Sequence, residues 1–427
     1  MPGPGQRGSR STKRCHGESK MTDRNPDDNA GQRSDLGPSD CKRPDRKAVS
    51  CEDDRVSCWH VIFSADCNLR CSYCYTGHGR FGQLVDGMDL STLESWLDLA
   101  LELALEGGEL QFEFGGGETF LRFDDFLNAT DRIVARARSK RVRPRIHVTT
   151  NGTQLDDLRL GALAARSIDL TFSIDGPAHH HNRNRLDRHG RTTHGRALTA
   201  FLGYRRLAEE SGGRFSCDLQ SVLTDGVRLT EIIEYWLAHD VQLFTCVVEL
   251  PSTFLHHDGT ASWRRRQQVY LEDLERFALA TARRLQVPTF LSDYCGPGNL
   301  YQMWRSLFLD QETAPCAAGS GFMAVGADGT LYPCEAFVGK QNWSVGSVFD
   351  GIDETALESF RQQYARALAA CIACPHAPAC PKSCFGAAPD AGVEAGFLQG
   401  CDFAISLSTI AQNSFAILEG SEGQAHG

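Results

Sequence analysis

Three closely spaced cysteines give the sequence its clearest chemical signal. Cys67, Cys71 and Cys74 lie four and three residues apart, directly after an apolar run over residues 60–65. Three thiolates in one short loop can hold three corners of a cubane [4Fe–4S] cluster, which leaves the fourth iron open to a substrate or cofactor. A structural zinc site normally closes with four ligands from paired knuckles. A chance cluster is the other alternative, because the chain contains 17 cysteines.

Length, charge and composition limit the class of protein. The chain has 427 residues and a formal net charge of −10, which allows two domains and argues against a nucleic-acid partner. It has no apolar run of about eighteen residues and no apolar N-terminal signal segment. Without a signal, the cysteines indicate metal binding or catalysis and not disulfides. We therefore expect a cytoplasmic protein that does not associate with membranes.

The sequence divides into three segments. Residues 1–57 are rich in Gly, Pro, Ser and charged residues, which predicts a disordered tail. Over residues 58–290, short apolar runs alternate with amphipathic stretches, which predicts an α/β fold with a parallel sheet. Six such units predict a partial (β/α)6 TIM-like barrel. Residues 291–427 form a linker and a cysteine-rich domain.

The predicted elements alternate at the spacing of strand–helix units. The predicted strands cover residues 59–65, 110–115, 145–150, 168–174, 215–223 and 241–250. The predicted helices cover residues 92–106, 124–138, 156–165, 194–210, 229–238 and 263–285. Ser91 and Glu94 predict a capping box for the first helix, and Gly107 predicts its end.

The residues able to do chemistry follow the strands in a regular way. Cys67 follows the first predicted strand, Gly116-Gly117-Glu118 the second and Asn151 the third, while Ser173 and Asp175 end the fourth. All are C-terminal strand ends, where the active sites of such barrels lie. We therefore expect these side chains to meet at one mouth of the barrel.

A second cysteine pattern occupies the C-terminal region. Its members are Cys316, Cys334, Cys371, Cys374, Cys380, Cys384 and Cys401. Prolines at 375, 378 and 381 exclude a continuous helix there, so a loop with four thiols would wrap a metal. A zinc ribbon would explain a lone C-x2-C pair but not seven cysteines in this arrangement.

The two cysteine patterns together resemble those of radical S-adenosylmethionine (SAM) enzymes with a C-terminal SPASM domain. The first pattern matches the family motif C-x3-C-x-aromatic-C, with Tyr73 as the aromatic residue. The second matches every SPASM spacing, and the resemblance covers roughly residues 58–405. It implies a SAM-binding [4Fe–4S] cluster on the first three cysteines, two auxiliary [4Fe–4S] clusters and SAM as a cofactor.

The resemblance also implies a ligand set for each auxiliary cluster. One cluster would use Cys371, Cys374, Cys380 and Cys401. The other would use Cys316, Cys334 and Cys384, with Cys295 as the nearest candidate for a fourth ligand or with an open site.

Further site residues come from the family's barrel motifs. Gly116, Gly117 and Glu118 resemble the GGE motif that meets the SAM amino group, and a carboxylate facing an ammonium suits that role. Ser173 resembles the residue that meets the SAM ribose, and Asn151 and Arg185 resemble further cofactor contacts. The sequence departs from the family at His181-Asn182, where His-Asp is usual, and at Thr119, where Pro is usual.

The short sequence segments around Gly116 and Cys334 resemble those of peptide maturases that crosslink ribosomally made precursors (RiPP maturases). The resemblance implies hydrogen abstraction from a precursor peptide and closure of a thioether or carbon–carbon bond. It also implies an electron donor such as flavodoxin or ferredoxin, and a leader-recognition partner if the chain does not bind the leader itself.

Two alternatives remain open at this point. One is an oxidase like the sulfatase maturases, which make formylglycine and carry an Asp base where this chain has Glu335. Glu335 would then be catalytic; otherwise it is an exposed carboxylate near a cluster. The other is a non-catalytic zinc or iron–sulfur binding protein.

Overall fold

The computed structural model describes residues 55–82, 85–248, 260–285, 294–311, 316–377, 380–381 and 393–420. Cys384 and the predicted tail up to residue 54 lie outside the described residues. The elements given below all belong to the described ranges.

Strands and helices alternate along the first part of the chain, as the sequence predicted. The strands are β1 (Cys58–Ser64), β2 (Glu109–Gly116), β3 (Arg143–Thr150), β4 (Asp169–Ser173), β5 (Cys217–Leu223), β6 (Leu243–Val248) and β7 (Gly296–Pro297). The helices are α1 (Leu90–Glu102), α2 (Phe123–Ser139), α3 (Asp157–Ala165), α4 (Ala178–Asn184), α5 (His194–Glu210), α6 (Leu229–Ala238), α7 (Thr260–Ala282) and α8 (Gly298–Phe308).

One sheet organises these elements. In the described residues its strand order is β7-β6-β5-β4-β3-β2-β1-β8-β9, where β8 is Phe322–Val325 and β9 is Leu331–Tyr332. Strands β1 to β6 pair in parallel in chain order. This is the predicted parallel α/β architecture, with six strand–helix units. Because the strands run in one direction, their C-terminal ends meet at one mouth.

Alternate residues of β1 point to opposite faces of the sheet, one toward the helices and the other toward the interior of the barrel. Trp59 and Phe63 are buried on the side of the helices, where Trp59 meets Trp96 of α1 edge-on at 6.3 Å between ring centroids. Side chains of a strand alternate between faces. His60 and Ile62 therefore lie on the inner face of the curved sheet.

The predicted capping box of α1 is wrong. Asp89 is the N-cap, and its carboxylate accepts a hydrogen bond from the Thr92 N–H at 2.7 Å. Ser91 instead donates to Asp89, while Glu94 binds arginines of α2. An ionised carboxylate both accepts this bond and favours the positive end of the helix dipole, so the helix begins earlier than predicted. The helix also ends before Gly107, whose φ of 74° belongs to the turn that precedes β2.

The C-terminal region continues the sheet and packs helices against it. Strand β8 (Phe322–Val325) pairs in parallel with β1, β9 (Leu331–Tyr332) pairs antiparallel with β8, and β10 (Gly346–Ser347) pairs with β11 (Gly351–Ile352). Helix α9 (Glu354–Ala369) and helix α10 (Val393–Gly420) follow, and short 3-10 helices cover Thr119–Arg122, Glu335–Phe337 and Gln341–Trp343. Among the described helices, none is long and apolar enough to cross a membrane.

A small second core joins the barrel to the C-terminal region. It is built from Ile62 of β1 with Ala324, Tyr332, Phe337 and Phe360. The region after β8 therefore packs directly on the inner side of β1. A domain boundary near residue 290 stays a prediction.

Candidate active site

The loop after β1 carries the first three cysteines, all of them half-buried. Backbone N–H groups point at two of the sulfurs: that of Leu69 at Cys67 Sγ (3.4 Å) and that of His78 at Cys74 Sγ (3.1 Å). Thr76 Oγ1 also lies 3.1 Å from Cys74 Sγ. Hydrogen bonds to cysteine sulfur are one means by which proteins stabilise and tune iron–sulfur clusters. The loop therefore has the donor chemistry that such a cluster needs.

Burial makes Cys67 and Cys71 poor candidates for free thiolates. Burial raises the pKa of Cys67 to about 12, with a further contribution from the charge of Glu118. Burial also raises the pKa of Cys71, against the opposing charge of Arg185. A bound metal would supply the positive charge that keeps such thiols deprotonated.

The three thiols do not form a site for a single metal ion. Within the described part of the chain, no three His, Cys, Asp or Glu side chains are placed to hold one ion. In a cubane cluster each cysteine binds a different iron, so its ligands need not converge on one point.

Two glycines let the end of β2 touch the cysteine loop. The Gly117 N–H donates to the Ser64 carbonyl at 3.1 Å, and a Cβ at Gly117 would lie only 2.1 Å from the Asp66 carbonyl oxygen. Gly116 has a φ of 104°, a region open to glycine but strained for other residues. The predicted motif is thus where two backbone segments meet, directly beside Cys67.

Glu118 is buried and ties together the ends of β2 and β3. It is 1% exposed, and its Oε1 accepts from the Phe120 N–H (3.1 Å) and from Thr150 Oγ1 (2.8 Å). Its Oε2 accepts from the Asn151 N–H at 2.8 Å. Burial raises the pKa of this carboxyl, and its hydrogen bonds oppose the shift. A carboxylate oxygen has two lone pairs, so Oε2 keeps one acceptor position for a cationic group.

Asn151 links the end of β3 to the cysteine loop. Its Nδ2 donates to Asn68 Oδ1 at 3.0 Å and lies 3.9 Å from Cys67 Sγ. Its Oδ1 accepts from the backbone and hydroxyl of Thr153. The predicted site residue is therefore also a structural brace for the loop.

Tyr73, Asp175 and Arg185 form a buried polar cluster at the mouth, which the sequence analysis did not predict. Tyr73 donates to Asp175 Oδ2 at 2.6 Å, and Arg185 donates to the Tyr73 oxygen at 2.8 Å. Arg185 is 7% exposed, and its Nε has no hydrogen-bond partner in the described structure. Burial raises the pKa of Asp175, although the charge of Arg185 opposes that shift. The position of Asp175 after β4 could be read from the sequence. Its contact with Tyr73, about a hundred residues earlier, could not.

Ser173 and the His181-Asn182 pair also lie at this end of the barrel. Ser173 ends β4 half-buried, opposite Gln220 of β5. His181 Nδ1 accepts from the Asp175 N–H at 3.3 Å, which requires a neutral ring nitrogen. Burial lowers the pKa of His181 to about 2 and thereby keeps the imidazole neutral. The Asn182 side-chain oxygen accepts from the first N–H groups of α5. An amide oxygen does here what an Asp carboxylate would do, so this departure from the family pattern keeps the acceptor.

The C-terminal cysteines fall into two groups in space. The charges of Cys380, Cys371 and Cys374 act on Cys401 and, after burial, help to raise its pKa. Separately, burial raises the pKa of Cys334, and Glu335 and Cys316 add to this shift. These groups are the ones that the resemblance implied, apart from Cys384, which lies outside the described residues.

Cys295 and the second group lie at opposite ends of the strand order. Cys295 directly precedes β7 at one edge of the described sheet, whereas Cys334 follows β9 at the opposite edge. Its assignment as a cluster ligand stays a prediction.

Glu335 follows Cys334 at the start of a 3-10 helix and is half-buried. Its Oε2 lies 3.1 Å from Cys334 Sγ. Its charge also reaches His60 on the inner face of β1. The side chain therefore belongs to the interior of the molecule and is not a freely exposed carboxylate.

Comparison with known proteins places this site in a family context. Residues 61–207 match the model of the Radical SAM superfamily. The chain is 21% identical over 319 residues to the cysteine-type anaerobic sulfatase-maturating enzyme of Clostridium perfringens, covering 67% of this chain and 76% of that protein. It is 28% identical over 220 residues to GTP 3′,8-cyclase 2 of Mycobacterium tuberculosis, covering 50% and 54%.

Solved structures share the fold. Native anSMEcpe with bound AdoMet and Cp18Cys peptide superposes with a TM-score of 0.64 at 20% identity, over 84% of this chain and 99% of that one. Streptococcus suis SuiB bound to precursor peptide SuiA superposes with a TM-score of 0.51 at 14% identity, over 78% and 72%. At these identities the superpositions establish the architecture.

Proposed function

This chain is an enzyme of the radical SAM superfamily, and from that premise we propose that it is a peptide maturase. It would remove a hydrogen atom from a ribosomally made precursor peptide and install a thioether or carbon–carbon crosslink. In this superfamily a [4Fe–4S] cluster and SAM supply the one-electron chemistry that removes the hydrogen atom. The alternative of a non-catalytic metal-binding protein falls with the family assignment.

One observation carries the proposal for the cofactor site: the cysteine loop, the glycine pair, Glu118 and Arg185 meet at one mouth. Glu118 keeps an acceptor position at Oε2 for the SAM ammonium group. Arg185 Nε, buried and unpaired in the described structure, would donate to an anionic group of the cofactor. Ser173 would meet the ribose, while Gly116 and Gly117 would form the strand edge that meets the SAM amino group in the family.

The C-terminal cysteines would hold two auxiliary clusters. The spatial grouping of Cys371, Cys374 and Cys380 around Cys401 supports one of them. The proximity of Cys316 to Cys334 supports the other. In the family pattern Cys384 would be its third ligand, and its fourth position would be taken by Cys295 or stay open. Their role would be to accept the electron left over when the product bond closes.

A peptide is the substrate class that the comparisons favour. Two proteins that share this fold over most of the chain have solved structures with a bound peptide, anSMEcpe and SuiB. The proposal for this chain includes a reducing partner such as flavodoxin or ferredoxin, and a separate leader-recognition protein. We favour a crosslink because the short sequence segments around Gly116 and Cys334 resemble those of crosslinking maturases.

A second candidate function rests on Glu335. The sulfatase-maturating relative and the half-buried carboxylate beside Cys334 support oxidation of a Cys or Ser side chain to formylglycine. Crosslinking and this oxidation both remove a hydrogen atom, an electron and a proton from the peptide. They differ in whether the product carries an aldehyde.

Mass spectrometry separates these functions. Small peptides encoded beside the gene are incubated anaerobically with enzyme, SAM and reductant, and a crosslink should lower the peptide mass by about 2 Da. A hydrazide probe should label formylglycine but not a crosslink. Labelling would favour the oxidase. An unchanged mass for every peptide, with SAM still cleaved, would contradict both candidate functions.

A further inference from the structure

His60 occupies a position inside the barrel to which no role has yet been given. It lies in the middle of β1, and the strand register pairs it with Glu113 of β2 and Ala324 of β8. Its neighbours Trp59 and Val61 are fully buried on the helix side. The His60 side chain, 14% exposed, therefore projects from the inner face below the mouth that carries the cysteine loop.

Glu113 orients the imidazole. Glu113 Oε2 lies 4.0 Å from His60 Nδ1, an ion-pair contact longer than a hydrogen bond. The other oxygen, Oε1, accepts from Gln111 Nε2 at 2.7 Å, which holds the carboxylate in place. A carboxylate on the Nδ1 side favours a proton on that nitrogen and leaves the lone pair on Nε2. Nε2 is the ring nitrogen that does not face Glu113.

Gly115 provides the space that this ring fills. A Cβ at Gly115 would lie 2.6 Å from Cε1 and 2.7 Å from Nε2 of His60. Any larger residue at 115 would push the imidazole away. The Nε2 edge is therefore placed beside Gly115, one residue before the start of the Gly116-Gly117-Glu118 motif.

The charges around His60 stabilise the imidazolium that forms when the ring accepts a proton. Burial lowers the pKa of His60, but Glu113 and Glu335 raise it by more, so the net shift is upward. His147 of β3 is the cross-strand partner of Glu113, and its Nε2 is hydrogen-bonded to Thr171 Oγ1 at 2.8 Å. An imidazolium at position 60 would thus feel the negative charges of Glu113 and Glu335, which compensate for its burial.

We propose that His60 Nε2 accepts the proton that the peptide releases when its new bond closes. This role rests on the proposed function. Closing a crosslink breaks one C–H bond and one S–H or second C–H bond, and forms one C–S or C–C bond. The hydrogen atom would leave with the adenosyl fragment of SAM, and one electron would pass to an oxidised iron–sulfur cluster, for which the C-terminal cysteines would supply the ligands. The proton goes to His60, whose new charge Glu113 and Glu335 stabilise.

The test separates hydrogen removal from bond closure in the cluster-loaded enzyme. A peptide that the wild type crosslinks is prepared with deuterium at the reacting carbon, and His60→Gln and His60→Ala are compared with the wild type. We expect deuterium transfer to 5′-deoxyadenosine to stay within about twofold and crosslink formation to fall at least about 100-fold, the scale of general-base catalysis. Added imidazole should restore part of the His60→Ala crosslinking rate, and peptide affinity by fluorescence anisotropy should be unchanged.

His147→Gln is the matched control, because His147 is a neighbouring interior histidine whose Nε2 is already paired. It should crosslink within about twofold of the wild type. Wild-type crosslinking by both His60 variants would overturn the proposal, and so would a loss of deuterium transfer in both. A wild-type enzyme that cleaves SAM but modifies no peptide would overturn the proposed function and this role with it.

Discussion

The two cysteine-bearing regions of this chain are held in place very differently. Around Cys67 the loop is braced from three sides, by the Gly117 N–H on Ser64, by Asn151 on Asn68 and by the buried carboxylate of Glu118. Around Cys371 and Cys374 the described hydrogen bonds are mostly those of successive turns. One longer tie joins that segment to α10, from Ser408 Oγ to the His376 carbonyl at 3.2 Å.

We expect the fold to hold the Cys67 loop in shape before a cluster binds. At Cys371 and Cys374 we expect the bound cluster to help form the site. The loop after β1 is hydrogen-bonded to the ends of neighbouring strands. The sheet holds those strand ends in place whether or not a cluster is bound. The C-terminal cysteines Cys371 and Cys374 lie in turns and not at strand ends, so we expect that cluster binding there would contribute to folding itself. Removing ligands from the two regions should therefore have different consequences for the rest of the molecule.

The largest expected effect comes from the first region. Replacing Cys67, Cys71 and Cys74 together with Ala should abolish reductive SAM cleavage but leave the fold and the C-terminal clusters intact. Iron analysis should fall from about twelve to about eight per chain, four for each cubane. Cys217→Ala, a half-buried cysteine of β5, is the control and should retain full iron. Production of 5′-deoxyadenosine by the triple variant would disprove the assignment.

The second region should respond with a loss of structure as well as of iron. Cys401→Ala should remove about four iron per chain and lower the thermal midpoint, because α10 would lose the proposed cluster that joins it to the turns at Cys371 and Cys374. Loss of a structural metal site can cost several kcal/mol, more than the triple change should cost in the braced loop. Calorimetry of both variants measures this contrast. Equal midpoints would contradict the distinction drawn between the two regions.

The same contrast explains what the sequence could predict. The strand–helix alternation and the mouth of the barrel follow from local patterns, because buried parallel strands are apolar and their ends carry the polar residues. The pairing of Tyr73 with Asp175 and of His60 with Glu113 depends on strand register and crossovers. No local pattern specifies those contacts. The cap at Asp89 was missed because Ser91 and Glu94 offered an equally good local pattern a few residues later.

Glu118→Gln should affect the cofactor more than the cluster. An amide keeps the size of Glu118 but turns an NH2 group toward donors such as the Asn151 N–H, and it removes the negative charge. Hydrogen bonds to charged groups contribute about 1.5–3 kcal/mol, so SAM affinity should fall at least about tenfold. Equilibrium binding of SAM measures this change, with iron content held as the internal standard. Glu94→Gln, which alters a surface ion pair with α2, should bind SAM normally.

The smallest effect should come from Glu335→Gln, and it tests which region carries bond closure. Glu335 lies beside Cys334 and its charge reaches His60, so the neutral amide should weaken stabilisation of the imidazolium without removing the base. We expect the peptide to be modified about three- to tenfold more slowly, equivalent to about 0.7–1.4 kcal/mol, while SAM cleavage continues. Glu358→Gln on the exposed face of α9 is the matched control and should leave both rates unchanged. Complete loss of peptide oxidation with SAM cleavage intact would instead make Glu335 the base itself, and it would favour formylglycine formation over crosslinking.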